Sequence, residues 1–580
     1  MTVLSSGRPR RLHPEDKVAR YRELGWWTDE TVDGLLRAQV EGRAGAVAVS
    51  DAPNKADLCG GEPVELTWSE LDAVVDRIAA SLLAAGVRAG DVVGVQLPNV
   101  VELVASFFAV IRIGAIVSPL AAQFRGYEIG TAAKIAGFDA FIGTARIGGR
   151  VSLGEAIPAL EGTRAAERVL GFGADLPEGV RPLEVGPANE NERRTVGEHL
   201  SDRTIDDPSN CITVCWTSGT ESLPKAVPRA HYEWMAIARV AQEAPALTSE
   251  DVVLNPFPMV NMASIGGMML PWLRSGARLV LHHPFTLPVF LRQVAEERVT
   301  YTLAPPAVLT MLLQNSAFLE QADVSSLRAI ASGSAPLSPP MVEGWQEGYG
   351  ISVINFFGSN EGICLLSSPS DVPDPGQRAR YFPRYGAPGV QWSCRAMEAV
   401  SLRLVDLDTG EEITEPGRPG ELRVGGPTIF SGYLEGSTGT VPFDERGDLC
   451  TGDVFEIAGD RGEFLLYVDR AKDLIIRGGM NIAPVELENL IIRHPSVAEV
   501  AVIGYPDDVL GEKTCAVIVP LAGSTVTHEE IIEYLRSQQI ASYKLPEKTV
   551  VVDALPRNPV GKTLKRVLRD DLRIGRLKGV

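Results

Sequence analysis

Residues 69–98 read SELDAVVDRIAASLLAAGVRAGDVVGVQLP, and this stretch decides the fold class. Leu71, Val74, Val75, Ile78 and Leu82 recur at the three-and-four spacing that places them on one face of a helix. Ser69 stands where a hydroxyl can cap the first turn, and Gly86 where a helix can end. Val92-Val93-Gly94-Val95-Gln96-Leu97 then forms a largely apolar run stopped by Pro98-Asn99, as expected of a buried strand. The alternation continues with a helix near 101–112, a strand at 115–117, a helix near 127–136 and a strand at 140–142. Strands separated by helices of this length predict parallel sheets covered on both faces, an α/β fold.

A chain of 580 residues exceeds what one core can fill, so two or more domains are expected. With 45% hydrophobic and 22% charged residues, the composition is that of a soluble globular protein. The first residues, MTVLSSGRPRRLHPEDK, are polar and charged, which predicts no cleavable signal. The most apolar stretch, Val100 to Ala122, is broken by Glu102, Arg112 and Pro119. Charges are costly inside lipid, so it reads as a buried helix–strand pair and no integral membrane segment is expected. Seven cysteines form no C-x-x-C pair, and Cys211 and Cys215 read as buried strand thiols, usage that fits a reducing cytoplasm. The seven histidines show no metal-ligand spacing. A net charge of −19 argues against nucleic acid as a partner. From Lys544 to Val580, however, ten Lys/Arg face four Asp/Glu, a basic tail on an acidic body.

Residues 172–209, rich in Pro, Gly and acidic side chains, read as an exposed connection, and a second α/β run follows over about 230–370. From 385 to 470 short strands alternate with Gly/Pro turns, predicting a small β-barrel or antiparallel sheet. Beyond Asp473 comes a compact α/β piece with a helix over 484–492, strands near 499–503, 515–519 and 549–552, and a helix from His528. These divisions predict an N-terminal domain over 1–471, with 385–470 as its β-rich part, and a C-terminal domain over 472–580.

Several stretches carry chemistry. TSGTESLPK (217–225) follows an apolar strand; its backbone N–H groups, its hydroxyls and Lys225 suit phosphate, although in isolation such a loop is an ordinary turn. It is not the phosphate loop G-x-x-x-x-G-K-[ST]. Glu361 closes a strand and can hold Mg²⁺, a hard cation that prefers carboxylate oxygen. Asp453 can accept hydrogen bonds from vicinal ribose hydroxyls, and Arg470 can add a charge-assisted one. Lys562 sits in a loop tight with Pro and Gly.

In one order along the chain stand LTWSEL (66–71), TSGTESLPK, GSAPLSP (333–339), NFFGSNEG (355–362), GELRVGGPTIFSGYL (420–434), CTGD (450–453), DRAKDLIIRGGMNIAPVELE (469–488) and LPRNPVGK (555–562). The set resembles the adenylate-forming superfamily of acyl-CoA synthetases (AMP-dependent acid–CoA ligases), aryl acid ligases, peptide-synthetase adenylation domains and luciferases. The resemblance covers nearly the whole chain. It implies a large domain of two helix-covered sheets and a small β-barrel, followed by a small mobile α/β domain.

It also implies roles. Thr217, Ser218, Gly219, Thr220 and Lys225 match the loop that binds the pyrophosphate end of ATP. Gly333, Ser334 and Ala335, with Asn355, Phe356, Phe357 and Gly358, match the segments flanking adenine. Asn360 replaces a usual Thr at the α-phosphate, Glu361 matches the Mg²⁺ ligand, and Asp453 and Arg470 match the ribose contacts. Lys562 matches the lysine bridging carboxylate and α-phosphate, Lys472 the hinge, and Gly478 and Gly479 the path of the CoA thiol. The acid pocket falls on Asn255, Met259, Val260, Asn261, Ile265 and Gly358.

Departures accompany the match. Glu221 and Ser222 stand where Thr/Ser-Gly is usual, and a carboxylate beside triphosphate repels it unless it turns away. Ala226 replaces a usual Gly, and Asn261 stands where many members have His. No aspartate lies between Asn255 and Met269 to pair with an amino acid's ammonium group. Tyr21–Trp27 resembles the N-terminal segment of aryl acid ligases, but their His-Asn pair is Leu254-Asn255 here. A hydrophobic carboxylic acid and CoA are therefore the expected substrates. Acyl-AMP passed to a separate acyl carrier protein, and acyl-AMP binding without turnover, are the alternatives. A homodimer stays open.

Overall fold

The computed structural model describes residues 11–202, 205–217, 224–437, 441–477, 480–507, 509–538, 540–557 and 563–577. One sheet runs, in spatial order, through Arg181–Pro182, Val169–Phe172, Ala140–Thr144, Val92–Val95, Ile116–Pro119, Cys211–Thr217 and Lys225–Ala230. Its neighbours are parallel except the last two strands, which form a hairpin. A second sheet runs through Cys364–Ser367, Ser352–Gly358, Ala329–Gly333, Tyr301–Leu303, Val252–Asn255, Arg278–Leu281, Val47–Ser50 and Glu65–Thr67. It is parallel inside and antiparallel at both edges.

The helices Trp68–Ala84 and Val101–Arg112 contribute to one apolar core that also takes side chains from both sheets. Leu71, Val74, Val75, Ile78 and Leu82 are all buried, as their spacing predicts. The cap is not Ser69. Thr67 accepts from the backbone N–H of Glu70, whose carboxylate accepts in turn from Thr67 N at 2.8 Å. Trp68, fully buried and stacked on Trp272 at 4.9 Å, is already helical, so the cap falls on the residue before it.

The stretch Val100–Ala122 is the buried helix–strand pair its charges suggest. Glu102 pairs with Lys55 at 2.8 Å, and Arg112 meets Asp33 and Asp76 at 2.7 Å each. Among the described residues no helix is long and apolar enough to cross a membrane. Cys211 and Cys215 are buried in their strand, and burial pushes the Cys215 thiol up to about 12. The connection 172–209 departs from expectation by containing the helix Glu190–His199, capped by Asn189 and burying only Val196.

The third sheet is antiparallel and orders Tyr381–Pro383, Phe464–Arg470, Leu449–Ala458, Pro419–Gly425, Ser401–Val405 and Glu412–Ile413. After it, the strands Val497–Asp507, Gly511–Pro520 and Lys548–Val551 combine with helices Pro484–Ile491, His528–Ser537 and Lys565–Arg573. This last piece carries two apolar clusters of its own, around Ile518 and around Val517, on opposite faces of its strands.

Candidate active site

Thr217, Asn255, Gly333 and Gly358 each stand at the last residue of a strand in the two mainly parallel sheets, the position at which open α/β sheets present ligand-binding groups. Thr217 and Lys225 are opposite partners at the mouth of the hairpin Cys211–Thr217/Lys225–Ala230. The Lys225 ammonium lies 5.3 Å from the centroid of the Tyr433 ring. The Tyr433 hydroxyl in turn donates to Glu361 Oε1 at 2.7 Å, so an aromatic ring stands between the predicted phosphate lysine and the predicted metal carboxylate. Ser218, Gly219, Thr220, Glu221 and Ser222, the centre of that loop, lie outside the described residues, as do Gly478, Gly479 and Lys562. The residues flanking Lys562 are joined, Arg557 bridging Thr563 and Leu564 N donating to Pro556 O at 2.8 Å.

Glu361 stands in a wedged turn. Its backbone carbonyl accepts from Phe430 N at 3.1 Å. The next residue, Gly362, has φ +113°, and a Cβ there would sit 2.1 Å from Thr428 O, so only glycine fits. Asn360 joins three segments: its amide donates to Trp216 O at 3.0 Å, its Oδ1 accepts from Met262 N at 2.8 Å, and its carbonyl accepts from Arg229 Nε at 2.8 Å.

On the adjoining strands, Gly333 pairs with Phe356, whose carbonyl would lie 2.2 Å from any Cβ at that position. Ser334, exposed, is one of few non-glycine residues with positive φ (+70°), and Ala335 follows it in the same exposed turn. Asn355 is buried and donates to the carbonyls of Arg378 and Ala379. Phe356 and Phe357 point to opposite faces, as strand neighbours must. The first faces Gly267, and the second packs on Phe455 at 5.1 Å.

In the antiparallel sheet Asp453 and Arg470 are register partners, with Arg470 Nε 2.6 Å from Asp453 Oδ1. Burial works against the Arg470 charge, but Asp453 and the nearby Tyr467 and Glu361 outweigh it and raise its pKa. Lys472 follows in the turn out of the strand, its pKa lowered by burial.

The predicted acid segment is helical over part of its length. Asn261 caps a π-helix over Met262–Met269 by accepting from Ser264 N. π-Helices are rare and concentrate at functional sites. Met259 and Ile265 are fully buried and Val260 and Asn261 half-buried, while Gly358 approaches Met262. Asn255 is wholly buried, its amide donating to Ser264 Oγ at 2.8 Å and its Oδ1 accepting from Phe257 N.

A profile of the AMP-binding enzyme family matches residues 36–434, and one of the AMP-binding enzyme C-terminal domain matches residues 486–562. The chain belongs to the AMP-binding enzyme family. It is 28% identical over 572 residues to the medium-chain fatty-acid–CoA ligase of Escherichia coli, covering 96% of this chain and 93% of that one. It is 30% identical to the indoleacetate–CoA ligase of Aromatoleum aromaticum, covering 88% and 93%. The ATP-bound structure of MatB from Rhodopseudomonas palustris superposes with a TM-score of 0.74 at 25% identity, over 94% of this chain and 99% of that one. These relationships make this AMP-binding enzyme an AMP-forming acid–CoA ligase, for which ATP and CoA are substrates.

Three residues packed around the candidate site of this AMP-binding enzyme are not among those its motifs point to. Tyr433 lies within GELRVGGPTIFSGYL, a stretch to which the resemblance assigns no role. Asn99, read only as a strand stop, donates to Phe257 O at 2.7 Å and accepts from Met259 N, tying the acid segment to the first sheet. Arg229 lies fully buried among the apolar residues that follow Lys225 in its strand; a charge in VPRA was the available signal.

Proposed function

We propose that the enzyme joins a hydrophobic carboxylic acid to ATP, forming acyl-AMP and releasing pyrophosphate, and then transfers the acyl group to the CoA thiol, releasing AMP. The observation that carries this reading is the convergence of Lys225 and Glu361 on Tyr433 at the strand ends, with the Asp453–Arg470 pair placed by the adjoining sheet. A carboxylate attacking a triphosphate meets like charge, so the site must supply cations around the phosphorus.

In this reading the 217–225 loop holds the β- and γ-phosphates with Lys225 as its point charge. Gly333 to Ala335 and Asn355 to Gly358 border the base, and Asp453 with Arg470 orients the ribose. Asn360 holds the turn at the α-phosphate, and Lys562 bridges the substrate carboxylate to it. Glu361 fits a Mg²⁺ ion, because Mg²⁺ takes one or two protein carboxylates and completes its shell with phosphate and water. Among the described residues no cluster of three or more acidic, His or Cys ligands offers a full protein cage. When bound, the ion would neutralise phosphate charge as the carboxylate approaches.

The chain divides at Lys472 in this reading, and residues 472–580 turn about it so that Lys562 gives way to Gly478 and Gly479 along the thiol path. The acid site, with Met259, Val260, Ile265 and Gly358 around the π-helix and Asn255 and Asn261 fixing its ends, is apolar and adaptable. The names of the fatty-acid and indoleacetate relatives support a hydrophobic acid.

The test is a panel of fatty, alicyclic and aryl acids assayed for pyrophosphate release with and without CoA. Acid-dependent release, with AMP formed only when CoA is added, is expected. AMP formed with an acyl carrier protein but not with CoA would redirect the second step. No release with any acid would end the reading.

A further inference from the structure

Arg229 is a charged side chain with no solvent exposure in a strand whose neighbours Val227 and Ala230 are equally buried. A buried guanidinium is costly unless its donors are satisfied, and an apolar residue fills such a place at lower cost. Its donors go to two backbone carbonyls, Nε to Asn360 O at 2.8 Å and Nη1 to Thr428 O at 3.0 Å. Those carbonyls flank Glu361 from both sides: one precedes it in the chain, and the other presses against Gly362. The guanidinium lies 5.1 Å from the Trp234 ring centroid, and burial lowers its pKa while the Glu233 carboxylate opposes that change. Glu233, fully buried, is held by Ala230 N at 3.1 Å and by His13 Nε2 at 2.9 Å.

With Phe430 N on its carbonyl and Tyr433 on its carboxylate, Glu361 keeps little freedom once Arg229 is in place. We infer that Arg229 is a positioning residue for adenylation: through Asn360 O and Thr428 O it sets the carboxylate of Glu361, while the buried Glu233 carboxylate opposes its charge. This rests on the reading above, which puts Glu361 beside the reacting phosphate.

The test compares the full-length enzyme with Arg229→Lys, Arg229→Met, Glu361→Gln and the Arg229→Lys/Glu361→Gln double variant. Acid-dependent pyrophosphate release is followed while Mg²⁺ is titrated. Lysine keeps the charge but cannot span both carbonyls, so kcat for release should fall about tenfold, and further in Arg229→Met. KM for the acid should stay within about threefold, and half-saturating Mg²⁺ should rise. The double variant should lose about as much as Glu361→Gln alone, because one residue acts through the other. Losses that multiply, or an equal fall in thioester formation from supplied acyl-AMP, would overturn the assignment. If Arg229→Met does not fold, the lysine variant and the double variant decide the matter. A wild-type enzyme that releases no pyrophosphate removes the functional reading and its premise here, whereas multiplying losses in an active enzyme remove only the role of Arg229.

Discussion

The turn at Ser359–Gly362 and the connector at Ala471–Leu474 both follow a strand bearing predicted nucleotide contacts, yet they are held by different means. The first is locked from all sides by buried groups: Arg229, Phe430 N, Tyr433 and a carbonyl that only glycine can approach. The second is held by backbone bonds at its base, Ala471 N to Gly452 O and Asp473 N to Arg470 O, both 2.9 Å. Among its side-chain links is a partly exposed ion pair, Asp473 to Arg569 at 2.8 Å. Buried polar contacts are costly to break, whereas exposed ion pairs are weak and screened by salt. In the proposed reading, the first would serve as a fixed floor and the second as an adjustable attachment, which is what two half-reactions on one nucleotide require.

The largest effect should come from the unit beyond the connector. Lys562→Ala is expected to cut acid-dependent pyrophosphate release by about a thousandfold while thioester formation from supplied acyl-AMP falls far less. Single-turnover assays of the two half-reactions measure this. Equal losses would mean that the C-terminal unit does not exchange roles, and the contrast between fixed floor and adjustable attachment would lose its meaning.

The floor is tested by Gly362→Ala. With φ at +113° and Thr428 O at 2.1 Å from the new Cβ, the turn must open, at a cost of about 3 kcal/mol or more in unfolding free energy. Urea denaturation with an unchanged midpoint would show the turn to be looser than its contacts imply.

Much of this contrast is legible in the sequence, and the missing part has a physical cause. The helix Val101–Arg112 falls where its long apolar run places it, every residue but Glu102 being buried. The helix Glu190–His199 escapes because a single buried residue, Val196, leaves no periodicity to read. The π-helix Met262–Met269 has none either, its residues being apolar nearly all round. Glu361, Asp453 and Arg470 stand out because their chemistry sits in ordered motifs. Arg229 does not, because its partners are backbone carbonyls, Asn360 O being 131 residues away in the chain. Backbone acceptors carry no residue-type signal, so a strut of this kind emerges only when the strands are assembled.

A smaller effect separates the two regions by pH. His231, next but one to Arg229, is buried and accepts a hydrogen bond at Nδ1 from Val32 N at 3.0 Å, and burial lowers its pKa to about 4. The unfolded chain, near 6.5, binds the proton first, so stability is complete above that value and falls as pH drops toward 4. His231 alone should remove about 2 kcal/mol between pH 7 and pH 4.5. His231→Gln, which cannot take a proton, should flatten that slope in urea titrations at the two pH values. An unaltered slope would place acid sensitivity outside the fixed floor.

The smallest expected effect is at the connector itself. Burial opposes the Asp473 charge, but the Arg569 hydrogen bond and the charges of Arg569, Lys565 and Lys472 together outweigh it and lower the pKa, so the pair is formed at neutral pH. Arg569 keeps 30% exposure, and Lys565 and Lys472 also act on the Asp473 carboxylate, so loss of Arg569 should cost only about 0.5 kcal/mol. Arg569→Ala should therefore barely move the unfolding midpoint. If the C-terminal unit reorients about Lys472, however, half a kilocalorie is enough to shift a near-balanced equilibrium about twofold. The ratio of the two half-reaction rates should change by that factor at low salt and return to the wild-type value at about 1 M salt, where the Debye length is near 3 Å. A salt-independent change would mean that Arg569 acts through packing and not through its charge. A fall of several kilocalories in stability would show the connector to be as firmly built as the turn, erasing the difference between them.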